Sequence, residues 1–360
     1  MKKLLTLLLT SFIVLSLVGC SSTNDQSNAK EIYGADTLNV YNWGEYIGED
    51  VITNFEDEYG VKVNYSLFDS NEVMYTKLQS GTKYDVIIPS DYMIERLIAE
   101  DLLQPLDRDM ITNFDQLDPS VVGLSYDSEN MYSIPYFHGT VGIIYNKTTV
   151  DEAIVESEGF EVFRNEEFKG RVFAYDSERD NFMIALKSLG YSMNTVDENE
   201  INEAYQWLLD MDEKVEPSYV TDEVIDAMIN GEKDIALVYS GDATYILSEN
   251  EDMAFYAPIS SGTNQWSDAM VIPANSEAPM LANEFINYMI SYDVAYANSE
   301  YVGYTSSNEQ AKIDLSTGDG YYAGIDAYLP RTDNDLDEIF KYVPKQVEMI
   351  ADLWIKVKNN

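Results

Sequence analysis

Two hydrophobic patterns alternate along the first hundred residues of the folded part of the chain. Apolar side chains at every second position, or in a short apolar run, predict strands at 37–41, 61–68 and 84–88. Apolar side chains three or four positions apart predict helices at 49–59, 71–79 and 92–100, and Gly60 is a helix stop after the first of these. Strands and helices in strict alternation predict an α/β fold with a parallel sheet.

The same alternation starts afresh in the second half. Two extended runs, 134–136 and 141–145, come first. The strands predicted after them are 171–175, 235–239 and 269–273, and the helices are 180–189, 201–211 and 281–290. Two α/β units joined by extended segments predict two lobes with a cleft at the hinge. We assign residues 37–141 plus 269–311 to lobe 1 and residues 142–268 plus 312–360 to lobe 2.

The N-terminus has the pattern of a secretory signal. Lys2 and Lys3 precede a mainly apolar stretch, 4–18, which is too short for a membrane-spanning helix. Gly19 and Cys20 end the stretch, and this arrangement resembles the lipobox of bacterial lipoproteins. The resemblance implies a signal peptide at 1–19, then a lipidated Cys20 and a flexible tether at 20–36. The protein is therefore expected on the extracytoplasmic face of the cell membrane, held there by lipid.

Composition excludes several classes of function. The chain has 360 residues, of which 45% are hydrophobic and 12% aromatic, so it folds around a core. With 22 Lys+Arg against 64 Asp+Glu, the net charge of −42 excludes nucleic acid as a partner and favours a cationic ligand. One Cys and one His exclude an internal disulfide, a cysteine-based zinc site and a multi-histidine metal centre. We expect no cofactor.

Four stretches carry a resemblance to a known family. The stretches are 40–46, 70–78, 84–92 and 266–275, and their order and spacing matter more than any one of them. Together they resemble the spermidine/putrescine-binding proteins that serve ABC importers. The resemblance implies a two-lobed periplasmic-binding-protein fold and a polyamine held in the cleft. It also implies that the protein is monomeric, that the importer's permease is its partner, and that the protein binds its ligand without catalysing a reaction.

Polyamine chemistry defines what such a cleft contains. Protonated amines need separated carboxylates, and the methylenes between them need flat apolar walls, which aromatic side chains provide. The resemblance assigns the ligand contacts to loop positions in both lobes: Trp43, Tyr46, Ser90, Tyr92, Asp180, Tyr239, Trp266, Asp268 and Tyr304. Asp268 is expected to bind an ammonium group, with Trp266 beside it as a wall. Glu45 fits better as a structural or rim carboxylate.

Some positions depart from the family pattern and leave alternatives open. Ser177 stands where spermidine binders carry a carboxylate, and Asp180 stands in place of a longer Glu. Tyr239 occupies a position that is often Trp, and His138, expected to be a hydrogen-bonded loop residue, stands where an indole is common. The same fold with another small solute, such as an amino acid, a sugar or another cationic amine, is one alternative. A secreted glycoside hydrolase with paired carboxylates is another.

Overall fold

The computed structural model describes residues 26–359. The predicted signal peptide and Cys20 lie outside these residues. Within the segment expected to be a flexible tether, Gln26–Tyr33 form a helix. Ala29 is 1% exposed and packs into the core, and the Tyr33 ring lies 6.2 Å from that of Tyr59. The tether prediction is therefore wrong for this part, because the short segment has an apolar face that the domain covers.

Helices and strands alternate along most of the described chain. The strands are β1 (Thr37–Trp43), β2 (Lys62–Phe68), β3 (Val86–Ile87), β4 (Ser133–Asn146), β5 (Val172–Tyr175), β6 (Ser218–Val220), β7 (Ile235–Tyr239), β8 (Met253–Tyr256), β9 (Gln265–Val271) and β10 (Thr305–Ser306). The helices are α1 (Gln26–Tyr33), α2 (Val51–Tyr59), α3 (Asn71–Gln79), α4 (Asp91–Ala99), α5 (Glu152–Glu158), α6 (Glu178–Ser188), α7 (Glu198–Val215), α8 (Glu223–Ile229), α9 (Ser240–Glu249), α10 (Pro279–Met289), α11 (Tyr292–Val302), α12 (Glu309–Ser316) and α13 (Pro344–Lys358).

The strands form one mixed sheet in the order β2-β1-β3-β9-β4-β7-β5-β6, with β8 and β10 also paired to β4. On one side β1 pairs in parallel with β2 and β3, as the sequence predicts. On the other side β5 pairs in parallel with β6 and β7. Between them, β4 and β9 run antiparallel to their neighbours. The result is a two-lobed α/β fold in which each parallel unit is attached to the same pair of central strands.

Strand β4 corrects a prediction. The two extended runs expected at 134–136 and 141–145 are one strand of 14 residues, which pairs with β9 up to Thr140 and with β7 from Val141 onward. Gly139 lies between the two predicted runs, inside the continuous strand. A Cβ atom on Gly139 would lie 2.7 Å from Trp266 Cζ2, so only glycine lets the indole pack against the strand.

Strand β9 corrects a second prediction. It begins at Gln265, earlier than the strand predicted at 269–273, so Trp266 and Asp268 are strand residues and not loop residues. Strand side chains alternate between faces, which places Trp266 and Asp268 on one face and Ser267 on the other. The opposite face is confirmed by Tyr126, whose hydroxyl lies 3.2 Å from Ser267 Oγ.

Helix boundaries follow their local sequence signals. Gly60 ends α2 in the left-handed conformation, at φ 64°, as predicted. Ser177 is the N-cap of α6, where its hydroxyl accepts a bond from the backbone N–H of Asp180. Among residues 26–359, no helix is both long and apolar enough to cross a membrane.

Candidate ligand-binding site

Three tyrosine–aspartate pairs form the centre of the site. The Tyr46 hydroxyl donates to Asp268 Oδ2 at 2.8 Å, the Tyr304 hydroxyl to Asp242 Oδ1 at 2.6 Å and the Tyr239 hydroxyl to Asp180 Oδ2 at 2.9 Å. In two of the pairs the second carboxylate oxygen has no partner. Oδ1 of Asp268 and Oδ1 of Asp180 are buried and have no hydrogen-bond partner within residues 26–359. Asp268 and Asp180 are thus each fixed by one oxygen and available through the other.

Trp266 joins the three pairs into one aromatic enclosure. Its ring centre lies 5.3 Å from that of Tyr304 and 5.9 Å from that of Tyr239, both edge to face. Tyr46 lies edge to face with Tyr304 at 5.3 Å, which closes the arrangement. Trp266, Tyr46 and Tyr304 are each at most 8% exposed. These rings present faces and edges in several orientations around the free carboxylate oxygens.

Burial controls the charge of these carboxylates. Removal from water raises the pKa of Asp268 to about 6, against hydrogen bonds that lower it. The same cause raises the pKa of Asp242 to about 7, and it raises the pKa of Asp180. A buried carboxylate is stabilised either by a proton or by a cation. The site therefore favours a cation that replaces protons.

Local structure explains how the side chains reach this point. Tyr304 follows Gly303, which ends α11 in the left-handed conformation at φ 88°. Gly241 lies at the start of α9, and a Cβ atom there would overlap the Tyr304 ring. Glu45, just before Tyr46, has a positive φ of 45°, which is uncommon for a residue with a side chain and turns the chain sharply after β1. Glu45 is exposed, as expected of a rim residue.

A second group of predicted residues lies beside the enclosure. Ser90 forms an isolated bridge with Asp268 and accepts a hydrogen bond from Asn71 at 3.1 Å. Asn71 also donates to the Tyr92 hydroxyl at 3.0 Å. The face of the Tyr92 ring is covered by the guanidinium of Arg179, whose Cζ lies 3.8 Å from the ring centre. Ser90 and Tyr92 are thus near Asp268, but Tyr92 already holds a cation of the chain itself.

Comparisons with known proteins show the family of this chain. Residues 50–317 match the family model described as bacterial extracellular solute-binding protein. The chain belongs to this family.

The resemblance to polyamine-binding proteins is also confirmed. This solute-binding protein is 34% identical over 283 residues to the spermidine/putrescine-binding periplasmic protein of Escherichia coli K12, covering 78% of this chain and 80% of that protein. The crystal structure of the spermidine/putrescine substrate-binding protein PotD of Streptococcus pneumoniae is 35% identical and has a TM-score of 0.71, covering 90% and 99% of the two chains. The TpPotD lipoprotein of Treponema pallidum is 25% identical with a TM-score of 0.78, covering 90% and 100%.

Trp43 has the weakest connection to the enclosure of this solute-binding protein. Its indole N–H donates to the carbonyl of Ile88 at 2.8 Å, and its ring lies 4.4 Å from that of Phe68. It is half-buried at the end of β1. These contacts fix the indole beside the segment that leads to Ser90, and its role as a ligand wall stays a prediction.

His138 is not the hydrogen-bonded loop residue expected from the sequence. It lies within β4, where it pairs with Thr305 and Ser267. Its Nδ1 has no hydrogen-bond partner in the described part of the chain. Burial lowers the pKa of His138 to about 4, with Asp118 and Lys312 as the charged groups that act on it. The imidazole therefore stays neutral inside the fold at ordinary pH.

Two residues of the site were missed by reasoning from the sequence. Asp242 lies in the first turn of α9, directly after β7, and its position after a buried strand was the available signal. Phe340 comes from the segment before α13 and lies 6.3 Å from the Tyr92 ring, with the guanidinium of Arg179 5.8 Å from its own ring. No local pattern points to Phe340, because only the tertiary fold brings it to α4.

The rim of the site is acidic. Asp222 lies near Gly44, with 4.0 Å between its Oδ2 and the place where a Cβ of Gly44 would lie. Its pKa is raised by burial first, and then by the carboxylates of Glu223, Glu45 and Asp69. In residues 26–359, no group of three or more His, Cys, Asp or Glu side chains is placed to hold a metal ion. Negative charge at the rim attracts cations of any kind, and the enclosure must select among them.

Proposed function

We propose that this solute-binding protein captures a polyamine, spermidine or putrescine, in the aromatic enclosure and delivers it to the permease of an ABC importer. The observation that carries the proposal is the set of three tyrosine–aspartate pairs around Trp266. The name of the Escherichia coli relative, a spermidine/putrescine-binding protein, supports the same ligand class.

The chemistry of the enclosure matches a polyamine in two ways. A protonated amine offers N–H donors to a carboxylate oxygen, and Asp268 and Asp180 each keep one such oxygen. An ammonium over an aromatic face gains about 0.5–2 kcal/mol, and the methylenes between amines cover apolar ring surface. A neutral sugar could stack on the aromatic rings, but it would leave the buried carboxylates without a cation. An unpaired buried charge is costly in free energy.

The carboxylates around the site stand at positions that differ from the family pattern, and this difference affects which amine is preferred. Ser177, where a spermidine binder is expected to carry a carboxylate, caps α6 and offers a hydroxyl only. Asp242 supplies a carboxylate from another element, where it accepts a hydrogen bond from the Tyr304 hydroxyl. We infer that the amine positions are set by Asp268, Asp242 and Asp180. The distance between the bound amines then depends on α9 as well as on α6.

We propose that the ligand is held by closure of the two lobes. The assignment of 37–141 plus 269–311 to one lobe and 142–268 plus 312–360 to the other stays a proposal, supported by the way β4 pairs with β9 on one side and β7 on the other. Tyr304 and Asp242 then come from different lobes, as do Tyr46 and Asp268, so both hydrogen bonds join the two lobes in the closed arrangement. The same holds for Arg179 and Tyr92.

We propose lipid attachment at Cys20 and a place on the extracytoplasmic face of the cell membrane. The support is the sequence around Gly19-Cys20 together with the lipoprotein relative from Treponema pallidum. A Cys20→Ser variant in cells should move from the membrane fraction to the soluble fraction. Retention in the membrane fraction would contradict lipid attachment at this residue.

A ligand panel tests the proposed function. The purified protein, residues 21–360, is heated with putrescine, cadaverine, spermidine, spermine, an amino-acid mixture and a sugar mixture. We expect the midpoint of unfolding to rise with at least one polyamine and with neither mixture. A rise of the unfolding midpoint with amino acids or sugars alone would contradict the polyamine proposal and indicate another class of solute.

A further inference from the structure

Arg179 is a buried cation inside a site that is built to bind cations. Its side chain is 9% exposed and lies directly before Asp180, the carboxylate that Tyr239 holds. The guanidinium Cζ is 3.8 Å from the centre of the Tyr92 ring and 5.8 Å from that of Phe340. Arg179 thus covers the face of Tyr92, a residue that the family resemblance assigned to the ligand contacts.

The partners of Arg179 are weak for a buried charge. Its closest carboxylate is Glu72, with 3.9 Å between Arg179 Nε and Glu72 Oε1, and Glu72 is itself 49% exposed. Nε and Nη1 of Arg179 are buried and donate to no hydrogen-bond acceptor within the described residues. Lys187, which is similarly buried, shows the contrast, because it bonds both the Glu338 carboxylate and the carbonyl of Leu336. The main partner of Arg179 is therefore the face of Tyr92.

The charge of Arg179 enters the balance of the enclosure. Four carboxylates line or back it, and Asp91 is the one that touches no tyrosine hydroxyl. Asp91 is 1% exposed and accepts hydrogen bonds from the backbone N–H groups of Tyr92 and Ser267. Arg179 places one positive charge beside these carboxylates, and Glu72, its nearest carboxylate, is largely exposed. A ligand therefore shares the compensation of the negative charge of the enclosure with a guanidinium that is already present.

We propose that Arg179 is a specificity-determining residue, a resident guanidinium that holds one cation position on the Tyr92 face and so limits the number of charges on the bound polyamine. The inference rests on the proposed function. An aromatic face accepts one cation at a time, so no ligand ammonium can use Tyr92 while Arg179 covers it. The positive charge of Arg179 also repels any ligand ammonium that lies on the Arg179 side of Asp180.

Selectivity among polyamines of increasing charge tests the inference. Dissociation constants of putrescine, spermidine and spermine, with two, three and four amines, are measured for the wild type and for Arg179→Gln. We expect Arg179→Gln to shift the ratio of the putrescine to the spermine constant at least about tenfold in favour of spermine. A change by the same factor for all three ligands would overturn the inference, because a purely structural role predicts that result.

Two variants serve as controls. Arg179→Lys keeps the charge, so it should keep the wild-type ratio to within about threefold, and a tenfold shift in that variant would also overturn the inference. Arg96 stacks on Tyr75 at 3.6 Å and pairs with Glu100, so Arg96→Gln removes a similar contact elsewhere and should leave the ratio unchanged. If Arg179→Gln fails to fold, Arg179→Met and Arg179→Lys carry the test with the same two outcomes. Failure of the wild type to bind any of the three amines would instead refute the proposed function.

Discussion

The hydroxyl of Tyr46 donates to Asp268 Oδ2 over 2.8 Å, although the two residues are 222 positions apart in the chain. The bond joins the turn after β1 to strand β9 and fixes the orientation of a carboxylate that is 6% exposed. Asp268 Oδ1 is left without a partner among the described residues. The Asp268 carboxylate is thus buried and held in one orientation, and its second oxygen is free to accept a hydrogen bond from a positively charged donor.

This arrangement should reduce the stability of the ligand-free protein. Burial raises the pKa of Asp268 to about 6, above its ordinary value of 3.8. The fold disfavours the ionised form, so stability is lost as the pH rises from about 4 through 6. We expect Asp268→Asn to raise the free energy of unfolding by about 1–3 kcal/mol at pH 8 and by little at pH 4. Denaturant unfolding at both pH values measures this, and a free energy of unfolding that Asp268→Asn changes equally at both, or lowers at pH 8, would contradict it.

Binding should weaken in acid. Burial raises the pKa of Asp268 to about 6 and that of Asp242 to about 7, so both take up protons as the pH falls through these values, and a cation must then displace the protons. We expect affinity to fall as the pH decreases from 8 to 5, and protons to be released on binding. Calorimetry in two buffers with different ionisation enthalpies measures the released protons. An affinity that is constant over this range would show that the carboxylates are already ionised.

Gly241 should be required for the pairing of Tyr304 with Asp242. A Cβ atom at Gly241 would overlap the Tyr304 ring, while at Gly44 its nearest neighbour would be Asp222 Oδ2 at 4.0 Å. We expect Gly241→Ala to weaken polyamine binding at least about tenfold, since the ring must move and its hydroxyl leaves the carboxylate. Gly44→Ala is the matched control and should bind within about threefold of the wild type. Equal effects of the two changes would contradict this account of Gly241.

His138 should make the fold sensitive to acid. Its pKa is lowered to about 4 by burial in β4, below the ordinary value of 6.5, with Asp118 and Lys312 as the charged groups acting on it. The neutral form stabilises the fold, and this stability is lost as the pH falls from about 6.5 towards 4. We expect the wild type to lose more stability between pH 7 and pH 5 than His138→Gln does. Thermal unfolding at the two pH values measures the difference, and identical losses would contradict the burial of a neutral imidazole.

Much of the fold is predictable because its strands and helices follow apolar periodicity. Strands β1, β2, β3, β5 and β7 lie close to where the pattern places them, whereas the short strand β6 was not predicted. Strand β9 begins earlier than predicted because Gln265, Trp266, Ser267 and Asp268 lack the apolar alternation of an ordinary strand. Trp266 and Asp268, which we propose to face the ligand, break the rule that identifies buried strands, so the prediction fails at the proposed site.

The site is predictable only in part, for a related reason. Tyr46, Tyr239, Trp266, Asp268, Tyr304 and Asp180 were assigned by resemblance, and the structure brings these six together. Asp242 is one of 64 acidic residues, and the bond from Tyr304 that distinguishes it exists only in three dimensions. The stacking of Arg179 on Tyr92 joins α6 to α4, so it too depends on tertiary structure.

Calorimetric titration of the purified protein with spermidine and putrescine, compared with Asp268→Asn and the rim control Glu45→Gln, tests the central claim most directly. The account predicts binding of one polyamine per chain, a loss of affinity of at least about tenfold in Asp268→Asn and little change in Glu45→Gln. Absence of binding by folded wild-type protein at millimolar concentrations of both amines would contradict it, as would an unchanged dissociation constant in Asp268→Asn.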